Sequence, residues 1–163
     1  MKISKRTLSK GEAVIFSKEI TQTPNIVGYL PRELLKLSNV LVIENKTEII
    51  GILAYVETKK FVDLKLMIIR GKFRGKGYGA KLFKNCTDLL ADTKKPMYAV
   101  TKNPVVIHLL KQAGFVQVRF IQLPVPCMLH QLRMIFSLYR IKEFIKKSIQ
   151  FPREAKFTYW LKD

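Results

Sequence analysis

Hydrophobic and polar positions change rhythm several times along this chain, and each change marks an element. NVLVIEN and EIIGILAYVE are short runs rich in Val and Ile, and Lys46-Thr47 between them reads as a hairpin turn. VDLKLMII is a third strand with a continuously apolar end. The period then lengthens. In GAKLFKNCTDLLAD, Leu82, Phe83, Cys86, Leu89 and Leu90 fall on one helical stripe. MYAV is a short strand. VVIHLLKQA is a compact helix, capped by Asn103, begun by Pro104 and stopped at Gly114. FVQVRFIQLP reads as a strand, MLHQLRMIFSLYRIKEFIKKSI as one or two basic amphipathic helices, and AKFTYWLKD as a last alternating strand. Upstream, Ser9 and Glu12 have capping-box spacing and predict a helix through Ile20. Pro31 begins PRELLKLS, a short second helix whose first position tolerates a missing N–H.

This order of elements predicts an α/β fold with a mixed sheet. We expect one domain over residues 1–163, with a helical insertion at about 126–150 before the last strand. Composition agrees with a globular chain: 48% hydrophobic and 26% charged over 163 residues. Charge changes the picture. Thirty Lys and Arg face twelve Asp and Glu, a formal net charge of +18. Such a surface attracts nucleic acid, anionic membrane or a polyphosphate ligand. Cys86 and Cys127 lack a CxxC partner, so we expect neither zinc nor a disulfide framework, and no metal. No signal-peptide core and no membrane-length apolar run is legible, so a cytoplasmic protein is the expectation.

The chemistry concentrates in RGKFRGKGYGAK, with four glycines and five basic residues between a strand and a helix. Backbone N–H groups in such a loop suit a phosphate. A Walker A loop requires Gly-Lys-Ser/Thr five residues after its first glycine, and Lys76 occupies that place. Gly75, Gly77 and Ala80 fit the dinucleotide fingerprint. The acidic residue that mechanism needs some 20 positions on is missing, for the chain there reads YAVTKN.

Arg74-Gly75-Lys76-Gly77-Tyr78-Gly79 fits R-x-x-G-x-G, and here the chain resembles the GNAT superfamily of N-acetyltransferases over residues 40 to 120. NPVVIHLLKQAGF is similar to the family's second landmark, an asparagine-capped helix closed by Gly-Phe. The resemblance implies a central, mostly antiparallel sheet with flanking helices, here with an extra basic C-terminal helix. It implies acetyl-CoA as co-substrate, held by Arg74, Gly75, Lys76, Gly77, Tyr78, Gly79 and Ala80, with Met67, Ile68, Ile69 and Asn103 beside it. Lys72 or Lys81 could serve the 3′-phosphate. The amine would attack the thioester directly, with a backbone N–H near Ile69 for the carbonyl oxygen and an acid for the leaving thiolate.

Many members of the family take that acid from a tyrosine seven residues after the capping asparagine, and here the position is Leu110. Asp63 stands eleven residues before Arg74, where histone-acetylating members carry a base glutamate. Tyr98 stands five before Asn103, where N-terminal-acetylating members place a base. A strand-end carboxylate paired with lysine and a packed aromatic are the plain alternatives. His108, Glu57 and Tyr139 are weaker candidates. A basic surface favours an amine on an acidic or phosphate-bearing carrier, an aminoacyl-tRNA among them. His130, Arg133, Arg140, Lys142, Lys146 and Lys147 interleave with Phe136, Tyr139 and Phe144 in the C-terminal helix. That pattern suits a phosphate-facing side, a homodimer contact, or an anionic membrane. Two functions stay open: an acetyl-CoA-dependent N-acetyltransferase, and a non-catalytic module that keeps the loop to bind CoA or nucleic acid.

Overall fold

Seven strands form one open sheet in the order β1-β2-β3-β4-β5-β7-β6 in the computed structural model, which describes residues 1–26, 28–135, 138–150 and 156–162. The strands are β1 Lys2–Lys5, β2 Asn39–Glu44, β3 Ile49–Glu57, β4 Val62–Ile69, β5 Met97–Thr101, β6 Val116–Val118 and β7 Thr158–Lys162. Every neighbouring pair is antiparallel except β4 and β5. The helices are α1 Lys10–Thr21, α2 Pro31–Leu34, α3 Tyr78–Leu89, α4 Pro104–Gln112, α5 Val125–Ile135 and α6 Leu138–Gln150. No helix among the described residues is long and apolar enough to cross a membrane.

Alternation sorts the side chains. Val40 and Val42 of β2 turn toward α1 and α2 and pack with Phe16, Ile20, Ile52 and Leu66. Leu41 and Ile43 turn to the other face and meet Leu82, Phe83 and Cys86 of α3 and Leu110 of α4. The middle strands are buried on both faces, hence their unbroken apolar runs. A third cluster joins Phe61, Tyr98, Leu123 and Cys127. Burial pushes the Cys86 thiol up to about 12 and Cys127 to about 11, so both remain protonated packing groups.

Local signals and structure agree at most elements. Ser9 Oγ accepts the Glu12 N–H at 3.3 Å, and Glu12 Oε2 accepts the Ser9 N–H at 2.8 Å. Asn103 Oδ1 caps α4 through Val105 N–H at 2.9 Å. Two expectations are corrected, and one strand was not foreseen. Leu89 lies outside the buried stripe of α3, because its position turns to solvent while Leu82, Phe83, Cys86 and Leu90 face the sheet. The strand read in FVQVRFIQLP stops at Val118, and residues Phe120–Gln122 form a short 3-10 turn. Strand β1 was not expected, since KISK is a lysine-flanked edge strand too short for a pattern. The basic C-terminal segment is helical over Val125–Ile135 and Leu138–Gln150. The side chains of Arg133, Phe136, Tyr139 and Arg140 lie outside the described residues.

Candidate active site

The sheet opens where its one parallel pair ends. β4 and β5 are in register at Val62–Met97, Asp63–Tyr98 and Leu64–Ala99. β4 then continues to Ile69 and β5 to Thr101. A bulge lies at the same point: Ala54 of β3 faces Leu66, Tyr55 faces Leu64, and Lys65 has no opposite number. The extra residue bends β4 at the point where its pairing with β5 ends, while its pairing with β3 runs on to Ile69. Beside the gap is a cavity of about 440 Å³, with walls from Asp63–Met67 of β4, Ala99–Thr101 of β5, and Leu53, Phe83, Asn103 and Leu110. Asn25, Ile26, Tyr29, Ile141, Phe144, Phe157 and Tyr159 close its other side.

The glycine-rich loop has a backbone geometry that suits an anion. Gly75 and Gly77 have φ of +78° and +76°, the left-handed region that costs side-chain-bearing residues energy. Gly77 caps α3 without a side-chain hydrogen bond, and the first turn of α3 holds no acid. The helix therefore begins with N–H groups and a positive dipole end free of internal counter-charge. The loop's entry is fixed from α1 and β3. Glu19 Oε2 accepts the Gly71 N–H at 3.1 Å, Arg70 pairs with Glu48 at 3.2 Å, and Lys72 also pairs with Glu48. Arg74 donates from Nε to the Ile69 carbonyl at 3.0 Å and from Nη2 to Thr23 Oγ1 at 3.2 Å. Lys76 and Lys81 are exposed. Tyr78 meets Phe73 edge-on at 6.3 Å. Gly79 sits over Ile69 and Met67, near enough that a Cβ there would touch both, and Ala80 faces outward on the first turn. These features fit a pyrophosphate-bearing co-substrate.

Met67 lies in the cavity wall, whereas Ile68 is buried against the α1 and α2 side. Arg70 N–H donates to Ile50 of β3 at 2.9 Å. Strand alternation therefore turns the Met67 and Ile69 N–H groups away from β3, toward the gap. Asn103 reaches the cavity wall, its amide oxygen engaged by the helix cap.

Asp63 and Tyr98 are neighbours across the parallel ladder, with different surroundings. Asp63 Oδ2 takes Lys65 Nζ at 2.8 Å and lies 3.3 Å from His130 Nε2, and Lys65 Nζ is 3.1 Å from the same ring nitrogen. Burial would raise this carboxyl, but the His130 ring and the Lys65 ammonium outweigh it and hold it below its usual range. An ionised, paired carboxylate is a weak proton acceptor. Tyr98 is wholly buried in the cluster under α5, and its hydroxyl has no hydrogen-bond partner among the described residues. Burial, then the Asp63 charge, push its phenol far above the usual range. It is a poor proton donor, and its ring packs against Phe61 at 5.7 Å.

Leu110 is in the cavity wall, so the structure provides no phenol from α4. Among the described residues two other tyrosines line the cavity, Tyr29 and Tyr159. Sequence reasoning passed over both. Tyr159 was legible as an alternating position of the last strand, but its place beside β5 follows from β7 entering the sheet between β5 and β6. The weaker candidates lie elsewhere. Glu57 is paired with Lys95 at 2.7 Å, and His108 is exposed on α4.

The model of the acetyltransferase (GNAT) domain matches residues 15–122. The chain belongs to the GNAT acetyltransferase family. Among curated proteins none matches it by sequence. Solved structures share the GNAT fold at low identity. N-acetylglutamate synthase from Neisseria gonorrhoeae, solved with coenzyme A and N-acetyl-glutamate, superposes at a TM-score of 0.69 and 12% identity. That match covers 99% of this chain, which spans 35% of the synthase. The yncA protein of Salmonella typhimurium, solved with its cofactor acetyl-CoA, gives 0.62 at 15% identity over 100% of this chain and 94% of its own. A ribosomal-protein-alanine N-acetyltransferase from Brucella melitensis gives 0.63 at 15% identity over 99% of both chains. The family match ends before α5, so α5, α6 and β7 stand outside it.

Proposed function

We propose that this GNAT acetyltransferase moves an acetyl group from acetyl-CoA to an amine by direct attack within a ternary complex. One observation carries the proposal: the left-handed glycine turn at Gly75–Gly77 feeds the uncapped N-terminus of α3 beside a cavity opened by the parting of β4 and β5. When bound, acetyl-CoA supplies the acetyl thioester and a thiol leaving group. The N–H groups of the Gly75–Ala80 turn hold the pyrophosphate, and Lys76 and Lys81 add positive charge. The Met67 N–H, turned into the gap, donates to the thioester oxygen as negative charge grows there.

The acceptor amine enters neutral and attacks the carbonyl carbon. As the new C–N bond forms and the C–S bond breaks, the amine gives up a proton to water and the thiolate gains one. Tyr159 is the proposed proton donor, because it lines the cavity, as Tyr98 does not, and is less buried there than Tyr29. Asp63 acts by holding Lys65 and His130 in place. The acceptor's carrier is acidic or phosphate-bearing, as the net charge of +18 favours. A thermal melt with and without acetyl-CoA tests the first half. Ligand at 100 times its Kd should add about 2.7 kcal/mol of stability. No rise in Tm, with no acetyl transfer to aminoacyl-tRNA or to simple amines, removes the proposal.

A further inference from the structure

Helix α6 is turned inside out. Its buried residues are Glu143 and Lys147, one turn apart, and its exposed ones include Ile145 and Ile149, 53% and 75% accessible. Lys147 explains the orientation. Its Nζ donates to the carbonyls of Ile20, Thr23 and Ile26 at 2.6, 2.7 and 2.7 Å, closing the end of α1 and the loop after it. With that edge held inward, helical spacing sends Ile145 and Ile149 to solvent beside Lys142 and Lys146. Helix α5 also exposes an apolar stripe, Val125, Leu129 and Leu132, at i, i+4 and i+7. The span 125–150 carries five Lys and Arg, and its one acid, Glu143, is buried.

We infer that α6 docks on an anionic lipid surface, with Ile145 and Ile149 in the acyl boundary and Lys142 and Lys146 among the headgroups. The exposed chemistry selects this occupant. A nucleic acid offers phosphates to the lysines and nothing to two isoleucines. A second copy of this chain would bring the same lysines and a charge of +18 against itself. An anionic bilayer meets both halves of the face. Ile141 and Phe144 of the same helix line the cavity, so docking brings that wall of the cavity to the lipid.

The test is co-sedimentation of the full chain with phosphatidylcholine vesicles containing about a third phosphatidylglycerol, against phosphatidylcholine alone. Binding to the anionic vesicles, weakened by salt, is expected. Ile145→Glu with Ile149→Glu should lower it about tenfold or more, the size of withdrawing a buried aliphatic side chain. Val14→Glu, at an exposed apolar position of α1, should leave it unchanged. Lys142→Glu with Lys146→Glu keeps the isoleucines and should also abolish binding, which covers a folding failure of the first variant. The inference is overturned by equal binding to both vesicles, by no binding to either, or by loss with Val14→Glu. A dimer in light scattering that Ile145→Glu dissolves would also overturn it.

Discussion

Lys147 is a cation buried among backbone carbonyls, which pins α6 to the end of α1. Burial pulls its ammonium down to about 8. Lys147→Met strips a donor from three carbonyls and a counter-charge from Glu143. A loss of about 1–3 kcal/mol is expected, visible as a fall of several degrees in Tm. An unchanged melt would mean that α6 holds its place without this tie. The phenols are separated by activity. Tyr159→Phe should lower kcat about 100-fold with little change in the KM for acetyl-CoA. Tyr98→Phe should spare kcat, since the Tyr98 ring is wholly buried and is not among the residues that line the cavity. The reverse result would return the acid to Tyr98. Asp63 sets an acid limit. Its folded pKa is depressed, so its contribution is complete above the unfolded value near ~3.9 and is lost as pH falls through the folded one. Glu12 acts in the same direction, lowered to about 2 by the Arg6 hydrogen bond. Stability should fall steeply below about pH 4. Asp63→Asn should flatten that limb, and a variant curve parallel to the parent would show that the pair does not contribute.

The element that matters most is the turn from β4 into α3. Its glycines answer a backbone requirement: two left-handed residues bring N–H groups to a helix start with no acid nearby. Gly77→Val puts a β-branched side chain at φ +76° and should weaken acetyl-CoA binding at least about tenfold, by calorimetry. Gly11→Ala, in α1 with open space around it, is the control and should bind as the parent does. Equal affinity in both variants would detach the loop from the co-substrate. This element was legible in sequence, because R-x-x-G-x-G records a local backbone path. The cavity was not. It arises where β4 and β5 part at Leu64 and Ala99, and neither strand alone encodes the distance to its neighbour. Asp63 meets the plain alternative that the sequence offered, a carboxylate paired with a neighbouring lysine, Lys65, whereas the part of His130 of α5 in that pair was not legible.

Over the whole molecule, charge governs association. At +18, encounter with a polyanionic acceptor should be steered and salt-dependent. The acceptor KM should rise steadily between low and physiological ionic strength, and a flat profile would exclude a polyanion as carrier. Charge is distributed unevenly around the site. Glu19 and Glu48 hold Arg70, Lys72 and Arg74 at the loop's entry, while the first turn of α3 carries no acid of its own. The helices beyond the family match, α5 and α6, bring Gln131, Ile141 and Phe144 to the cavity and expose Leu129, Ile145 and Ile149 to solvent.

Sequence alone determined whatever depends on near neighbours along the chain. The capping box at Ser9, the stop at Gly114, the apolar strands and the glycine turn before α3 each rest on contacts within a few residues. Tertiary structure decided what depends on distant segments meeting. Strand β7 brings Tyr159 beside the cavity from the far end of the chain. Tyr98 is silenced by burial, and Lys147 faces inward because three carbonyls over 120 residues away are arranged to receive it. The physical reason is the same throughout. A propensity or a cap is a local energy, whereas burial, a proton affinity and a cavity wall belong to surroundings that exist only once the sheet has assembled.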